Sequence, residues 1–137
     1  MSVDGFKYST RVSFYDTDAM GVMHHAAYLK KFEDARVAWL RNSGLDQFHY
    51  PKVDMVLAVI HAEIKYHHPS FFEDQLSINL NISKSRLKLK IDYVIEHENG
   101  LKIATGQTTH VPLGKDLKLV DYPEGLIKLL QKESING

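Results

Sequence analysis

The sequence predicts an α+β fold in which an antiparallel sheet wraps around one long central helix. Three observations indicate this fold: a strand-like segment near the N-terminus, one long helical segment after it, and about four long alternating segments in the second half. Successive strands that follow a single helix are typical of an antiparallel sheet with that helix packed on it. Because the chain has 137 residues and 44% hydrophobic content, we expect one domain over residues 1–137.

The first half of the chain predicts a strand and then the central helix. Aromatic and β-branched residues of one parity predict a strand from Phe6 to Tyr15 that ends at Asp16. Between Ala26 and Arg41 the apolar residues follow a helical spacing and form a wide stripe, so we expect a mostly buried helix that Gly44 ends as a left-handed cap. The stripe consists of Tyr28, Leu29, Phe32, Ala35, Val37, Trp39 and Leu40.

The second half predicts several strands and a terminal helix. Apolar and polar residues alternate in three segments, 60–66, 76–83 and 87–93, and each predicts a half-buried strand. The sequence Glu-Asn-Gly at 98–100 predicts a hairpin turn because Asn-Gly suits positive φ, and residues 101–113 form the returning strand. Pro123 at a first helical position predicts a short helix to about Lys132.

One helix cannot cover so large a sheet and also close both of its edges. Exposed strand edges are a hazard that oligomerisation can remove. We therefore expect a symmetric homodimer or homotetramer.

The composition excludes several classes of function. The chain has no cysteine, so it can have neither disulfide bonds nor a thiolate metal site nor a cysteine nucleophile. Acidic and basic residues balance at 17 each, which removes the overall electrostatic argument for nucleic acid or an anionic membrane as a partner. Residues 1–16 contain no apolar segment of signal-peptide length, and no segment approaches the roughly 20 apolar residues that span a bilayer. We expect a cytoplasmic protein.

The candidate functional residues lie in the segment YDTDAMGVMHHAAYLKKFEDAR, residues 15 to 36. Two carboxylates, Asp16 and Asp18, stand in the loop before the helix, and Gly21 follows where the backbone can approach a ligand. His24 and His25 mark the expected helix start, whose free N–H groups and macrodipole are suited to stabilising an oxyanion. A carboxylate nearby can act as nucleophile or general base.

This segment resembles the signature of the 4-hydroxybenzoyl-CoA thioesterases and the YbgC-type acyl-CoA thioesterases. Their pattern is Y-x-D-T-D-x-x-G-V-x-x-H-x-x-Y-x-x-x-F-E-x-A-R, and this chain lacks the extra residue that some members carry before the Asp-Thr-Asp. The matching residues are Tyr15, Asp16, Thr17, Asp18, Gly21, Val22, His25, Tyr28, Phe32, Glu33, Ala35 and Arg36. The strand pattern downstream is also similar, so the resemblance covers residues 7 to 113.

The resemblance implies a hotdog fold that hydrolyses an acyl-CoA, or an acyl-carrier-protein thioester, without metal or redox cofactor. It implies that Asp18 is the catalytic carboxylate, acting as nucleophile or general base. It further implies that the backbone N–H at His25 binds the thioester oxygen, although a tyrosine replaces this histidine in some relatives. The residues expected to bind substrate are Tyr15, Gly21, Val22 and Tyr28.

Structural roles compete for several of these residues. Asp16 and Thr17 are expected in a turn or cap, which would also be the ordinary interpretation of Asp18 without the surrounding pattern. His24 is expected to be peripheral, and His25 has a competing role as a hydrogen-bonded histidine at the helix start.

Other polar residues of the sequence also have competing interpretations. Glu33 is expected to pair with Arg36 rather than to catalyse. Adjacent histidines, as in His24-His25 and His67-His68, rarely point at one ion, so no metal site is expected. Three cations on one predicted strand face are candidate ligands of the coenzyme A phosphates, with a solvated face as the alternative. These cations are Arg86, Lys88 and Lys90.

Two other functions compete with hydrolysis. A hotdog dehydratase acting on a 3-hydroxyacyl thioester needs a paired acid and base and usually takes its histidine from a different motif. A non-catalytic acyl-CoA binding protein could keep the fold, but it has no need of a carboxylate beside an oxyanion donor.

Overall fold

One five-stranded antiparallel sheet carries the fold in the computed structural model, which describes residues 2–43 and 55–136. The strands are β1 (Ser2–Arg11), β2 (Val56–Tyr66), β3 (Gln75–Ser85), β4 (Lys88–His97) and β5 (Lys102–Leu113), in the order β1-β3-β4-β5-β2. The helices are α1 (His25–Asn42) and α2 (Glu124–Asn136), and a 3₁₀ turn covers Phe14–Asp16. The predicted α+β class is confirmed. Within the described residues, neither helix is both long and apolar enough to span a bilayer.

Alternating side chains on β3 and β4 form the floor of the hydrophobic core, as their periodicity predicted. The antiparallel register sets Ile78 opposite Ile95 and Leu80 opposite Tyr93, so that buried residues of the two strands form one row. The buried residues of these strands are Leu76, Ile78, Leu80, Ile82, Leu89, Ile91, Tyr93 and Ile95.

The central helix α1 buries a narrow face against this floor. Its buried residues are Ala27, Tyr28, Lys31, Phe32, Ala35 and Trp39. Leu29 and Val37, which the sequence placed in the buried stripe, are 45% and 42% exposed. The prediction of a wide stripe is therefore wrong, because a helix packed on one side of a sheet buries only the residues that recur every three to four positions.

A glycine in β5 allows α1 to approach the sheet closely. The ring of Phe32 stacks on Tyr93 with the ring centroids 4.0 Å apart and the planes 10° apart. Gly106 lies opposite Tyr93, and a Cβ there would stand 2.5 Å from the Phe32 ring and 2.9 Å from the carbonyl oxygen of Glu63. The helix can occupy this position only because residue 106 has no side chain.

The β1 strand begins and ends four residues earlier than the sequence predicted. It ends at Arg11, and the next residues form the 3₁₀ turn, in which Phe14 is 70% exposed. The turn forms because the Asp16 carboxylate accepts hydrogen bonds from the backbone N–H and the hydroxyl of Ser13, each 2.9 Å long. This local bonding replaces the strand ladder.

The predicted turn at 98–100 is confirmed, since Gly100 has a φ of 92°. Arg86 lies in the turn between β3 and β4 at a φ of 56°, so it does not share a strand face with Lys88 and Lys90 as predicted. The predicted cap at Gly44 lies outside the described residues.

The edge strand β2 has exposed side chains on both of its faces. Val59, Ile60 and Tyr66 are 50%, 53% and 52% exposed, so the prediction of a half-buried strand is wrong here. A bulge at Ile60 shifts the register between Val59 and His61. The alternation in the sequence did not reveal that this strand forms a sheet edge that the core covers only in part, at residues such as Leu57 and Ile64.

Candidate functional site

The segment that carries the signature folds as a tight loop that leads directly into α1. Thr17 bridges to Met23, and the Asp18 N–H donates to the carbonyl of Val22 over 2.9 Å. Gly21 makes the reversal possible with a φ of 79°, a conformation that favours glycine, and its N–H donates to the Asp18 carbonyl over 3.0 Å. The loop thus holds Asp18 a short distance along the chain from the helix start.

The carboxylate of Asp18 is exposed, and only one of its two oxygens accepts hydrogen bonds. Its Oδ1 accepts from the N–H groups of Met20 and Val22, at 2.8 and 3.4 Å. Its Oδ2 accepts no hydrogen bond from any residue that the structure describes. One oxygen therefore orients the side chain, while the other is free to contact a ligand.

Asp16 has a structural role, which confirms the expected cap. Its side chain is buried and its Oδ2 lies 3.1 Å from Nζ of Lys31, which also donates to Thr10 Oγ1 and to the Arg11 carbonyl. Burial opposes ionisation, but hydrogen bonds from Ser13 and the charge of Lys31 outweigh it and lower the pKa of the Asp16 carboxyl. This ion pair ties the signature loop to α1 and to the end of β1.

The start of α1 is capped by His24, so the expectation that this residue is peripheral is wrong. Nδ1 of His24 accepts from the N–H of Ala27 over 3.2 Å, and the backbone N–H of His24 donates to the Asp16 carbonyl over 2.9 Å. The N–H groups of His25 and Ala26 have no acceptor in the part of the chain that the structure describes, and both residues are exposed. Two neighbouring donors are thus available at the positive end of the helix dipole.

A cleft of about 310 Å³ opens beside this helix start. It is lined by Met23, His25, Tyr28, Tyr66, His67, His68 and Pro69. Tyr28 and Tyr66 pack edge to face in its wall with their ring centroids 5.0 Å apart. Apolar and aromatic walls with a few polar groups are typical of a small-molecule site.

Two cleft histidines are held by hydrogen bonds to β5. His67 Nε2 lies 3.1 Å from Thr105 Oγ1, and His68 Nδ1 lies 2.8 Å from the Lys102 carbonyl. Within residues 2–43 and 55–136, no three His, Asp or Glu side chains are grouped so that they could ligate one ion.

A fully buried hydroxyl lies behind the cleft wall. Ser70 Oγ completes no hydrogen bond of good geometry within the described residues, but it lies near the phenol of Tyr28. Burial raises the pKa of Tyr28, and the Ser70 hydroxyl offsets part of this effect. Tyr28 therefore keeps its phenolic proton at neutral pH.

The structure brings together only some of the predicted site residues. His25 and Tyr28 line the cleft, whereas Tyr15 is 88% exposed and meets Phe14 edge to face. The residues that lie on the adjoining loop and do not line the cleft of the described chain are Asp18, Tyr15, Gly21 and Val22. The sequence analysis did not identify Tyr66 as a cleft residue, and it considered His67 and His68 only as metal ligands. The signal that could have found these histidines is the His-His-Pro directly after β2, because polar side chains at the end of a strand can line a binding site.

The predicted pairing of Glu33 with Arg36 is wrong. Glu33 is exposed, and Arg36 Nη1 instead donates to the hydroxyl of Tyr93 over 3.1 Å. The Tyr93 hydroxyl lies 2.6 Å from Thr108 Oγ1, which is 2.9 Å from Nε2 of His110. Burial, together with the charge of Arg36, lowers the pKa of His110 to about 4, so this buried network contains a neutral histidine at neutral pH.

Known proteins match both the sequence and the fold. The model of the thioesterase-like superfamily matches residues 12–130. A candidate esterase of Aquifex aeolicus is 35% identical over 130 residues, covering 92% of this chain and 98% of the relative. A 1,4-dihydroxy-2-naphthoyl-CoA hydrolase of Crocosphaera subtropica is 30% identical over 115 residues, covering 81% and 84%. The crystal structure of a 1,4-dihydroxy-2-naphthoyl-CoA thioesterase from Synechocystis has a TM-score of 0.84 and 29% identity, covering 90% and 93%.

These similarities confirm the predicted hotdog fold and the predicted enzyme class, a thioester hydrolase. The matched region extends from the end of β1 into α2, so it contains the signature loop, the capped helix start and every residue of the cleft. The chain therefore belongs to the thioesterase-like superfamily.

Proposed function

We propose that the protein hydrolyses an acyl-CoA to a carboxylic acid and free coenzyme A, as a single hotdog domain over residues 1–137. The observation that carries this proposal is the pair of N–H groups of His25 and Ala26, which have no acceptor among the described residues. They lie at the N-terminal end of α1, where the cleft opens. Such donors stabilise the oxygen of a thioester as negative charge develops on it. The relatives named as hydrolases of a CoA thioester support the same chemistry.

We assign the attack on the carbonyl to the carboxylate of Asp18, whose Oδ2 is unoccupied by the described residues. Two routes are open to it: direct attack, which gives an anhydride that water then hydrolyses, or removal of a proton from an attacking water. Either route breaks the carbon–sulfur bond, and the departing thiolate takes up a proton. The residues proposed to contact substrate are Tyr15, Gly21, Val22, His25 and Tyr28.

We also propose that two chains pair through β2. Among the described strands β2 has a free edge, and its exposed apolar side chains are typical of a surface that joins another chain. Antiparallel pairing around a two-fold axis would continue the sheet and set the start of the second β2 near Tyr66, at the cleft.

The cytoplasm remains the proposed compartment, where a chain without cysteine needs no oxidising conditions.

A thiol-release assay tests the proposed activity. Butyryl-, palmitoyl- and aryl-CoA are each mixed with the protein, and free coenzyme A is measured with a thiol reagent while enoyl absorbance is followed. We expect thiol release without a change in enoyl absorbance, and the same assay with acyl-carrier-protein thioesters identifies the preferred carrier. A change in enoyl absorbance alone would indicate a dehydratase, and binding without either signal would indicate a non-catalytic protein.

Light scattering after size-exclusion chromatography tests the pairing through β2. We expect a mass of at least twice 15.7 kDa for the wild type and a lower oligomer for Ile60→Lys, because the added charge would lie among the apolar side chains that two paired β2 strands bring together. Leu117→Lys, at a residue that is 74% exposed outside the sheet, is the matched control and should leave the mass unchanged. A monomeric wild type would contradict the proposal.

A further inference from the structure

The residue that caps α1 is of an unusual type. Ser, Thr, Asp and Asn are the preferred residues at this position, where the side chain accepts from an early N–H of the helix. His24 takes the same extended backbone conformation, with φ of −78° and ψ of 157°, and accepts from Ala27 through Nδ1. Nδ1 can accept only when it carries no proton, so this cap requires the imidazole tautomer that has its hydrogen on Nε2.

The hydrogen bonds at this helix start divide its first four N–H groups into two pairs. The outer pair is occupied: the N–H of His24 donates to the Asp16 carbonyl, and the N–H of Ala27 donates both to the His24 carbonyl over 3.0 Å and to His24 Nδ1 over 3.2 Å. The inner pair belongs to His25 and Ala26 and has no acceptor within the described residues. The cap therefore fixes the first turn from both sides while it leaves two adjacent donors for a ligand.

The cap adds no negative charge of its own to the helix start. The first turn of α1 contains no acidic residue, although acidic side chains are favoured there in most helices. The carbonyl of Asp16 accepts from the His24 N–H, but the carboxylate of Asp16 is paired with Lys31 at 3.1 Å. An aspartate cap at residue 24 would place a carboxylate next to the two free donors, where it would repel an oxyanion.

We propose that His24 is a positioning residue of the reaction: its Nδ1 orients the amides of His25 and Ala26 toward the thioester oxygen without adding a second carboxylate beside Asp18. This inference rests on the proposed hydrolysis. It assigns a role to the imidazole of His24 that is separate from the role of the neighbouring His25, which lines the cleft.

Three substitutions separate capping from charge. His24→Asn keeps a neutral side-chain acceptor, His24→Asp keeps a side-chain acceptor but adds a charge, and His24→Leu removes the side-chain acceptor and leaves only the backbone carbonyl for the Ala27 N–H. Thermal unfolding and the kcat and KM of thiol release are measured for each. We expect kcat of His24→Asn within about twofold of the wild type, and kcat of His24→Leu lower by about tenfold, less than the cost of removing an oxyanion donor outright.

The aspartate variant distinguishes a positioning role from a purely structural one. We expect His24→Asp to unfold at the wild-type temperature or above, because Asp is a good cap, yet to have a kcat about tenfold below that of His24→Asn. Equal kcat values for the Asn and Asp variants, or an unchanged kcat for His24→Leu, would overturn the inference while the hydrolase proposal stands. A wild type that hydrolyses no acyl thioester would overturn both.

Discussion

Replacing Asp18 by asparagine is expected to lower the kcat of thioester hydrolysis by about 10²–10⁴-fold, the range in which acid–base groups contribute to catalysis. The amide oxygen of asparagine can still accept from the N–H groups of Met20 and Val22, so the loop should keep its shape. The substitution removes only the charge and the basicity of the unoccupied oxygen. Steady-state thiol release measures the effect, and thermal unfolding verifies that stability is unchanged.

Asp34→Asn is the matched control for this experiment. Asp34 is an exposed carboxylate on α1, outside the cleft and the signature loop, so its removal should leave kcat and KM at wild-type values. An Asp18→Asn variant that turns over at a rate similar to the wild type would show that the catalytic carboxylate has been assigned to the wrong residue.

Replacing Lys31 by methionine is expected to lower the free energy of unfolding by about 3–5 kcal/mol, because it leaves a buried carboxylate without its partner. Both side chains of the Asp16–Lys31 pair are only 9% exposed, and their charged atoms lie 3.1 Å apart. The double variant Asp16→Asn/Lys31→Met should recover much of the loss, since no unpaired charge remains buried. Urea unfolding at neutral pH measures the three variants and gives the coupling energy between the two positions.

The same coupling energy should depend on pH in a defined direction. The pKa of Asp16 is lowered in the folded protein from an ordinary value of 3.8, so the folded state binds its proton less readily than the unfolded state. The stabilisation is therefore complete above pH 3.8 and is lost as the pH falls through the lower folded pKa. A coupling energy that stays constant as the pH falls well below 3.8 would show that the pair does not stabilise the fold through charge.

The sequence alone determined the elements whose residues interact with near neighbours in the chain. Alternation identified β3 and β4 with the correct inward parity, and the Asn-Gly pair identified the turn that Gly100 completes. The periodicity of α1 gave its bounds to within one or two residues. These features are local, because side-chain direction in a strand or helix follows directly from position along it. The signature loop was likewise recognised as one continuous segment.

Only the tertiary structure decided which segments meet and which faces stay open. The approach of Phe32 to Gly106, and the position of Tyr66 beside His25 in the cleft, join residues that are far apart in the sequence. The strand order makes β2 an edge, and a single bulge sets its register, so alternation could not reveal its exposure. The cap by His24 depends on the direction in which one imidazole points. Contacts of this kind depend on how the packed elements are arranged in space, which a local pattern does not encode.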